Sequence, residues 1–290
     1  MSLPKRCQDG RCRWSFRGND GLNLKMHQLS ADQLIARGRT ADVYAWDHRY
    51  VLKLFHDWFE LENIEYEQRI VRAVVASGVQ APAVGELIRV DGRNGLLYER
   101  VSGQSMEALF LQKPWRLLTY ARTLARLHAH MHERVFDTAI PAQRARLQNK
   151  INQAHALSGP LKTKLLQALD SLPDGDRVCH GDFHPANVLL SGEDATIIDW
   201  IDATRGNPLA DVARTSVIAL GVAESAQTAK PLLKIIVRIF HTAYLKQYFT
   251  LHRGGEDEYC RWLPIVAGAR LSENIPELDQ WLVGQAALTS

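Results

Sequence analysis

The sequence predicts an α+β protein of two lobes, in which a small antiparallel sheet of five strands with one helix precedes a larger, mainly helical lobe. Three observations support this prediction. Short segments with the period of β-strands fill residues 33–101, apolar residues at helical spacing dominate from residue 114 onward, and Ser102-Gly103 separates the two regions. The chain therefore divides into an extension at residues 1–28, an N-terminal lobe at 29–101 and a C-terminal lobe at 102–290.

Composition limits the classes of partner. The chain has 290 residues and a formal charge of +3, and its Lys and Arg residues are scattered, so we expect no nucleic-acid partner. The four cysteines are too few and too dispersed for a disulfide framework. Apolar runs long enough for a membrane span and a signal-peptide core are both lacking, so we expect a cytoplasmic protein without a membrane partner.

The N-terminal lobe begins with strands. We predict them at residues 33–36, 42–46, 50–55, 85–90 and 95–101, with a small turn at Gly38–Ala41 between the first two. Apolar residues at spacings of three and four predict one helix over residues 60–77, which Gly78 ends.

A lysine stands within the third strand. Lys53 lies in the apolar run YVLKLF, where a buried ammonium needs a carboxylate or a phosphate as partner. Glu67 is the candidate because it falls on the apolar face of the helix, and Glu62 and Glu65 are possible substitutes. The other interpretation places Lys53 on an edge strand, from which it extends into solvent while Glu67 is solvated.

Helical periodicity dominates the second half of the chain. Helices are predicted over residues 114–134, 143–157 and 161–171, and in several segments from residue 209 to the C-terminus, including 256–271 and 273–283. His128 lies on the apolar stripe of the first of these helices, which indicates a core histidine rather than a catalytic one.

The stretch VCHGDFHPANVLLSGEDATIIDW, residues 178–200, carries the chemistry. Strands at 188–190 and 195–198 predict a hairpin that brings Asn187 and Asp199 to one end. Carboxylate and amide oxygens bind Mg²⁺, and Asp182 can stand beside an acceptor hydroxyl, so this set indicates phosphoryl transfer. Two alternatives are a metal site formed by His180, Asp182 and His184, and simple loop capping by Asp182 and Asn187.

The order of these motifs resembles a known family. The segments GRTADVYAW, VLKLF, Glu67, GLLYERVSG, LARLH, HGDFHPANVLL, IIDW and NPLADVAR are similar to those of the aminoglycoside phosphotransferase and choline kinase-like group, which shares the protein-kinase fold. The resemblance covers about residues 30–275. HGD-x4-N followed by IDW is its specific part, whereas the loop at Gly38 has one glycine where protein kinases have three.

For the reaction, the resemblance implies that Asp182 is the catalytic base or the carboxylate that orients the acceptor. It implies that Asn187 and Asp199 hold the metal ions, and that Lys53 and Glu67 form the ion pair that binds phosphate.

For the nucleotide, the resemblance implies that the backbone of Arg39, Thr40 and Ala41 covers the phosphates, and that the carbonyl of Glu99 and the amide of Val101 contact the base. The N-terminal lobe would then bind the nucleotide, and the C-terminal lobe would carry the catalytic loop and the acceptor pocket. The resemblance also implies that His180 and Asp211 brace the catalytic loop.

The implied function is Mg²⁺-dependent transfer of the γ-phosphate of ATP or GTP to a hydroxyl of a small molecule such as an aminoglycoside, a sugar or an amino alcohol. Eleven residues separate Asp199 from Asp211, which leaves no room for a segment that docks peptides. The alternative is a catalytically inactive kinase-like module that binds nucleotide or ligand. We expect a monomer or a homodimer.

The identity of the acceptor is less constrained. Acidic residues of the C-terminal region either bind a polycationic aminoglycoside or form a solvated helix face. They are Glu256, Asp257, Glu258, Glu273, Glu277 and Asp279.

Overall fold

The computed structural model describes residues 29–136, 140–225 and 231–289, so the predicted extension at residues 1–28 lies outside the described part of the chain. The first five strands are β1 (Leu34–Arg37), β2 (Ala41–Ala45), β3 (Tyr50–Phe55), β4 (Val84–Val90) and β5 (Arg93–Glu99). They form one antiparallel sheet in the order β1-β2-β3-β5-β4, which confirms the predicted five-stranded sheet. Strand β3 lies at its centre, so the interpretation that places Lys53 on an edge strand is wrong.

One helix, α1 (Leu61–Ala76), connects β3 to β4 and packs against β4 and β5. Its buried face carries Ile64, Ile70, Val71 and Val74, at the spacing that the sequence indicated. Glu67 lies on the same face and is also buried. A carboxylate in that position requires a cationic or hydrogen-bonding partner from the sheet.

The remainder of the described chain is mainly helical. Its helices are α2 (Met106–Gln112), α3 (Leu117–Met131), α4 (Gln143–Gln153), α5 (Gly159–Ser171), α6 (Pro208–Glu224), α7 (Pro231–Leu251), α8 (Glu256–Arg270) and α9 (Pro276–Ala286). Helix α3 packs against α7, and α6 packs against both α7 and α8. None of the helices in the described ranges is long and apolar enough to cross a membrane.

Several helix boundaries differ from the prediction. Helix α4 ends at Gln153 and not at residue 157, and α9 spans Pro276–Ala286 where residues 273–283 were predicted. The segment Pro114–Arg116 is a 3-10 turn, and α3 begins only at Leu117. Helix α2 precedes it and was not predicted. Ser105 caps α2, because its hydroxyl oxygen accepts a hydrogen bond from the amide of Ala108.

Short strands within the helical lobe hold the central motif. Strand β6 (Gln104–Ser105) pairs with β8 (Val188–Ser191), β8 forms a hairpin with β9 (Asp194–Ile197), and β7 (Arg177–Cys179) pairs with β10 (Thr204–Gly206). All of these pairs are antiparallel. Val188 is the register partner of Ile197, so the residues before β8 and after β9 meet at one end of the hairpin, as predicted.

Candidate active site

The catalytic-loop candidate connects β7 to the hairpin and turns sharply at Gly181. This glycine has a φ of 79°, and a Cβ atom there would lie 2.4 Å from the carbonyl oxygen of Asp202. A side chain would therefore be excluded both by backbone conformation and by space. The turn positions Asp182 at the start of the loop.

The side chain of His180 holds the catalytic-loop candidate in place through two hydrogen bonds. Its Nε2 lies 3.0 Å from the carbonyl oxygen of Ile198, and its Nδ1 accepts a hydrogen bond of 3.2 Å from the amide of Asp182. In these two contacts Nε2 donates to the carbonyl oxygen and Nδ1 accepts from the amide. The ring centroid lies 4.5 Å from that of the buried Trp200, so the IDW motif packs directly against the HGD motif.

Asp211, in the first turn of α6, is the buried acceptor to which the loop backbone is anchored. The amides of His180 and Gly181 donate to its two carboxylate oxygens at 2.6 and 2.8 Å. Nε2 of His128 and Nε2 of His132 lie 3.1 and 3.3 Å from the same carboxylate. Burial raises the pKa of Asp211, but these hydrogen bonds from the histidines outweigh it and hold the pKa well below its usual value.

The two histidines complete a structural network. Nδ1 of His128 and Nδ1 of His132 are hydrogen bonded to the hydroxyls of Tyr244 and Tyr248 at 2.6 and 2.8 Å. His128, His132 and Asp211 place their ligand-type atoms within 4.8 Å of one another, as a metal site would. Because both nitrogens of both rings are already engaged, the cluster is satisfied as a hydrogen-bonded core network, which agrees with the core position predicted for His128.

The carboxylate of Asp182 is surrounded by groups that favour its ionised form. His184 Nε2 lies 3.4 Å from Oδ2, and Arg214 Nη2 lies 3.8 Å from Oδ1. Asn187 Nδ2 donates to the backbone oxygen of Asp182 at 2.9 Å. Burial raises the pKa of Asp182, but the contacts to His184, Arg214 and His180 together lower it below its usual value. An ionised carboxylate can accept a hydrogen bond from an acceptor hydroxyl.

The two predicted metal ligands lie at one end of the β8–β9 hairpin. The amide of Ile198 donates to the carbonyl oxygen of Asn187 at 3.0 Å, and Asp199 follows directly with a φ of 63°. The amide nitrogen of Asn187 is engaged by Asp182, which leaves its amide oxygen for a cation. The Asp199 side chain is 45% exposed, so its carboxylate is accessible. This oxygen set fits Mg²⁺.

The predicted phosphate-binding ion pair is formed. Lys53 Nζ lies 2.7 Å from Oε1 of Glu67, which also accepts a hydrogen bond of 2.6 Å from the hydroxyl of Tyr98. The ammonium is also 3.4 Å from Oδ1 of Asp199. Burial alone would lower the pKa of Lys53, but Glu67 and Asp199 outweigh it and raise the pKa, so the ammonium stays charged.

The residues predicted to cover the nucleotide phosphates lie at the turn from β1 to β2. Arg39 is exposed, Thr40 is half-buried and Ala41 opens β2. The amide of Gly38 donates to the carbonyl oxygen of Ala41, and a Cβ atom at Gly38 would lie 2.8 Å from that oxygen. The turn therefore needs its single glycine.

The predicted hinge follows β5. The amide of Glu99 donates to the carbonyl oxygen of Ala83 at 2.8 Å, and the Glu99 carboxylate accepts from the Ala83 amide at 3.4 Å. The amide of Arg100 donates to the carbonyl oxygen of Arg49. Val101 lies just beyond these contacts and is half-buried, where the chain passes from the sheet to the helical lobe.

Sequence reasoning missed a set of basic residues beside the loop. Arg146, Lys150, Arg214 and Arg270 line a cavity of about 50 Å³ between α4, α6 and α8. Asp202 lies among them; the sequence indicates either a further acid near the metal ions or a cap at this position, and the structure pairs it with Arg146. One signal was readable: Arg146 and Lys150 are four positions apart on a predicted helix and so share one face.

Of the six acidic residues predicted either to bind an aminoglycoside or to form a solvated face, at least two have partners within the protein and two are exposed on α8. Glu273 reaches this region, but it is paired with Arg214 at 2.6 Å. Glu258 accepts hydrogen bonds from Asn207 and Trp262. Glu256 and Asp257 are exposed in the first turn of α8.

This fold and this arrangement of acids, amide and lysine define a small-molecule kinase of the protein-kinase-like fold. A family model described as the phosphotransferase enzyme family (APH) matches residues 33–246, and the chain belongs to that family. A search of curated proteins by sequence finds no match.

Three solved structures illustrate the likeness. Aminoglycoside phosphotransferase APH(4)-Ia, as a thermostable mutant with ADP and hygromycin B, has a TM-score of 0.58 and 14% identity over 88% of this chain and 91% of its own. Amicoumacin kinase hAmiN, with AMP-PNP and Ca²⁺, has a TM-score of 0.55 and 17% identity over 91% and 87%. A choline/ethanolamine kinase family protein from Mesorhizobium loti has a TM-score of 0.54 and 17% identity over 87% and 86%. At these identities the likeness establishes the fold.

Proposed function

We propose that this protein transfers the γ-phosphate of ATP or GTP, with Mg²⁺, to a hydroxyl of a small molecule. The observation that supports this most directly is a continuous chain of contacts. Lys53 contacts Asp199, the segment at Asp199 is hydrogen bonded to Asn187, and Asn187 is hydrogen bonded to Asp182. Phosphate-binding, metal-binding and acceptor-binding groups therefore adjoin one another in the order that the reaction needs.

Each residue has a definite role in this proposal. Lys53, held by Glu67, contacts the α- and β-phosphates, and Asn187 and Asp199 hold Mg²⁺. The metal ion supplies charge neutralisation on the transferring phosphoryl group. Asp182 accepts a hydrogen bond from the acceptor hydroxyl, aims its oxygen and receives its proton.

The nucleotide would lie between the two lobes. The backbone of Arg39, Thr40 and Ala41 covers its phosphates, and the carbonyl of Glu99 and the amide of Val101 contact its base. Two similar structures hold ADP and AMP-PNP, which supports this placement. The N-terminal lobe at 29–101 thus binds the nucleotide, and the C-terminal lobe at 102–290 supplies the catalytic loop and the acceptor pocket, in a cytoplasmic monomer or homodimer.

The proposal is tested by nucleotide consumption. Purified protein is incubated with ATP or GTP, with Mg²⁺ or with excess EDTA, against a panel of aminoglycosides, sugars, amino alcohols and hydroxy acids. We expect consumption that depends on both Mg²⁺ and an acceptor. Tight nucleotide binding without acceptor-dependent turnover across the panel favours the inactive kinase-like module instead. The presence of Lys53, Asp182 and Asp199 together argues against that alternative.

A further inference from the structure

The acceptor side of the loop is lined by four cationic side chains. Arg146 and Lys150 come from α4, Arg214 from α6 and Arg270 from the end of α8. All four line the cavity of about 50 Å³ that adjoins Gly181, the residue before Asp182.

These four cations share two acids. Asp202 is ion-paired with Arg146 and lies 3.7 Å from Lys150. Glu273 accepts from Lys150 at 3.4 Å and from Arg214 at 2.6 Å. Asp211 also lines this cavity and Asp182 lies 3.8 Å from Arg214, so the four cations are matched in number by four acids. The argument for an anion therefore depends on which of the four cations lacks a close partner.

Arg270 is the cation with the fewest partners in this cluster. Its Nε and Nη1 atoms are buried without a hydrogen-bond acceptor, and Nε lies 3.8 Å from Oε2 of Glu273, beyond hydrogen-bond distance. Burial, reinforced by the nearby Arg214, lowers the pKa of Arg270 to about 10. Buried donors without an acceptor are unfavourable in a folded protein, so these two donors are available to an anion that enters the cavity.

Arg214 links this cluster to the reacting carboxylate. Its Nε donates to the carbonyl oxygen of Gly181 at 2.9 Å, and its Nη2 lies between Oε1 of Glu273, at 2.6 Å, and Oδ1 of Asp182, at 3.8 Å. The catalytic carboxylate and the cationic cluster are thus separated by one side chain. An acceptor that binds Arg270 through one end can present a hydroxyl to Asp182 at the other.

We propose that the acceptor is an anionic alcohol, a small molecule whose carboxylate or phosphate group binds Arg270 and Lys150 while its hydroxyl faces Asp182. This inference rests on the proposed kinase function and narrows its acceptor class. It disfavours the polycationic aminoglycosides, because Glu273, which pairs with Arg214 beside Asp182, is already engaged by Lys150 and Arg214. A guanidinium recognises either anionic group with strong charge-assisted hydrogen bonds.

The test begins with binding rather than turnover. The full chain is first titrated calorimetrically with Mg·AMP-PNP, and the saturated complex is then titrated with D-glycerate, glycerol 3-phosphate, glycerol and kanamycin. We expect either or both anions to bind at least about tenfold more tightly than glycerol, in line with the strength of charge-assisted hydrogen bonds. The two anions distinguish carboxylate from phosphate recognition. Preferential binding of glycerol or kanamycin overturns the inference. So does the absence of anion binding at ligand concentrations of about 10 mM, which detect weak ligands.

Matched variants locate the anion. Arg270→Met keeps an apolar stem and removes the charge, and we expect it to weaken anion binding about 10–100-fold. Lys150→Met, on a different helix, should act in the same direction, so the test does not depend on one variant folding. Arg261→Met is the control, because Arg261 lies on the same helix but is exposed and bonds to Ser171. Anion binding that Arg270→Met and Lys150→Met leave unchanged refutes the assigned site.

The two proposals fail in different ways. If the wild-type protein does not bind Mg·AMP-PNP, the proposed kinase function itself is contradicted. Intact nucleotide binding, together with a preference for neutral or cationic acceptors in the turnover panel, would contradict only the anionic acceptor.

Discussion

The ammonium of Lys53 lies 3.4 Å from Oδ1 of Asp199, although the two residues belong to different lobes and are 146 positions apart. Oε1 of Glu67 contacts the same ammonium at 2.7 Å. Lys53 therefore connects the five-stranded sheet to the end of the β8–β9 hairpin. Since a phosphate chain and its cation need both groups, this contact is where the proposed function would place the nucleotide between the lobes.

Asp199 provides the sharpest test of cation binding. Asp199→Ala should abolish most Mg²⁺-dependent nucleotide binding, because it removes a charged oxygen ligand that is accessible at the hairpin end. Calorimetry with AMP-PNP, in the presence of Mg²⁺ and of EDTA, measures the effect. The control is Asp194→Ala, an exposed acid on the same hairpin, which should bind as the wild type does. Equal Mg²⁺-dependent affinity in Asp199→Ala and wild type contradicts its assignment as a ligand.

Replacing Asp182 should separate chemistry from binding. Asp182→Asn keeps the shape of the side chain but can no longer take the proton of an acceptor hydroxyl, so kcat should fall by about 10²–10⁴-fold. The affinity for Mg·AMP-PNP should remain within about twofold, since Asp182 acts on the acceptor. Turnover is measured with an acceptor identified in the panel. A variant that turns over as fast as the wild type removes Asp182 from the reaction.

The Lys53–Glu67 pair links stability to activity. Glu67→Gln removes the closest carboxylate from the Lys53 ammonium, which keeps only Asp199 at 3.4 Å, so we expect a loss smaller than the roughly 3–5 kcal/mol of a fully unpaired buried charge. The double variant Lys53→Met/Glu67→Gln should recover much of that loss, because no unpaired charge remains, yet it should stay inactive. Urea denaturation and turnover together distinguish the two effects. Activity in the double variant would rule out a role for Lys53 in phosphate binding.

The sequence predicted contacts whose partners lie close along the chain, and contacts of residues whose position follows from helical or strand periodicity. Glu67 could be chosen over Glu62 and Glu65 because helical spacing put it on the apolar face, and the structure pairs it with Lys53. The hairpin that joins Asn187 to Asp199 followed from two short apolar segments and a turn.

What the sequence could not predict depends on packing between distant helices. The cation cluster draws Arg146, Arg214 and Arg270 from three helices, and no periodicity reports which of their faces meet. In the same way, His128 was expected in the core, but its hydrogen bonds to Asp211 and Tyr244 join α3 to α6 and α7, 83 and 116 positions away. A polar residue on an apolar stripe indicates burial, whereas its partners emerge only from the tertiary structure.

The buried histidines predict an acid-sensitive fold. Burial, assisted by the neighbouring His132 and His180, lowers the pKa of His128 to about 3, although Asp211 acts in the opposite direction. The unfolded chain takes up this proton near pH 6.5, so the stability from the neutral ring is present above that pH and is lost as the pH falls. The pKa of His132 is lowered as well, mainly by burial, and its contribution has the same sign.

The loss can be measured with a variant that does not titrate. Between pH 7 and pH 5, one such histidine reduces the free energy of unfolding by about 2 kcal/mol. His128→Gln retains polar atoms facing Asp211 and Tyr244 but removes the proton, so its unfolding free energy should fall by about 2 kcal/mol less than that of the wild type over this range. Urea denaturation at both pH values provides the comparison. Parallel pH profiles of the unfolding free energy for the two proteins would show that His128 is not held neutral. The hydrogen-bond network that anchors the amides of His180 and Gly181 to Asp211 would then need another source of stability.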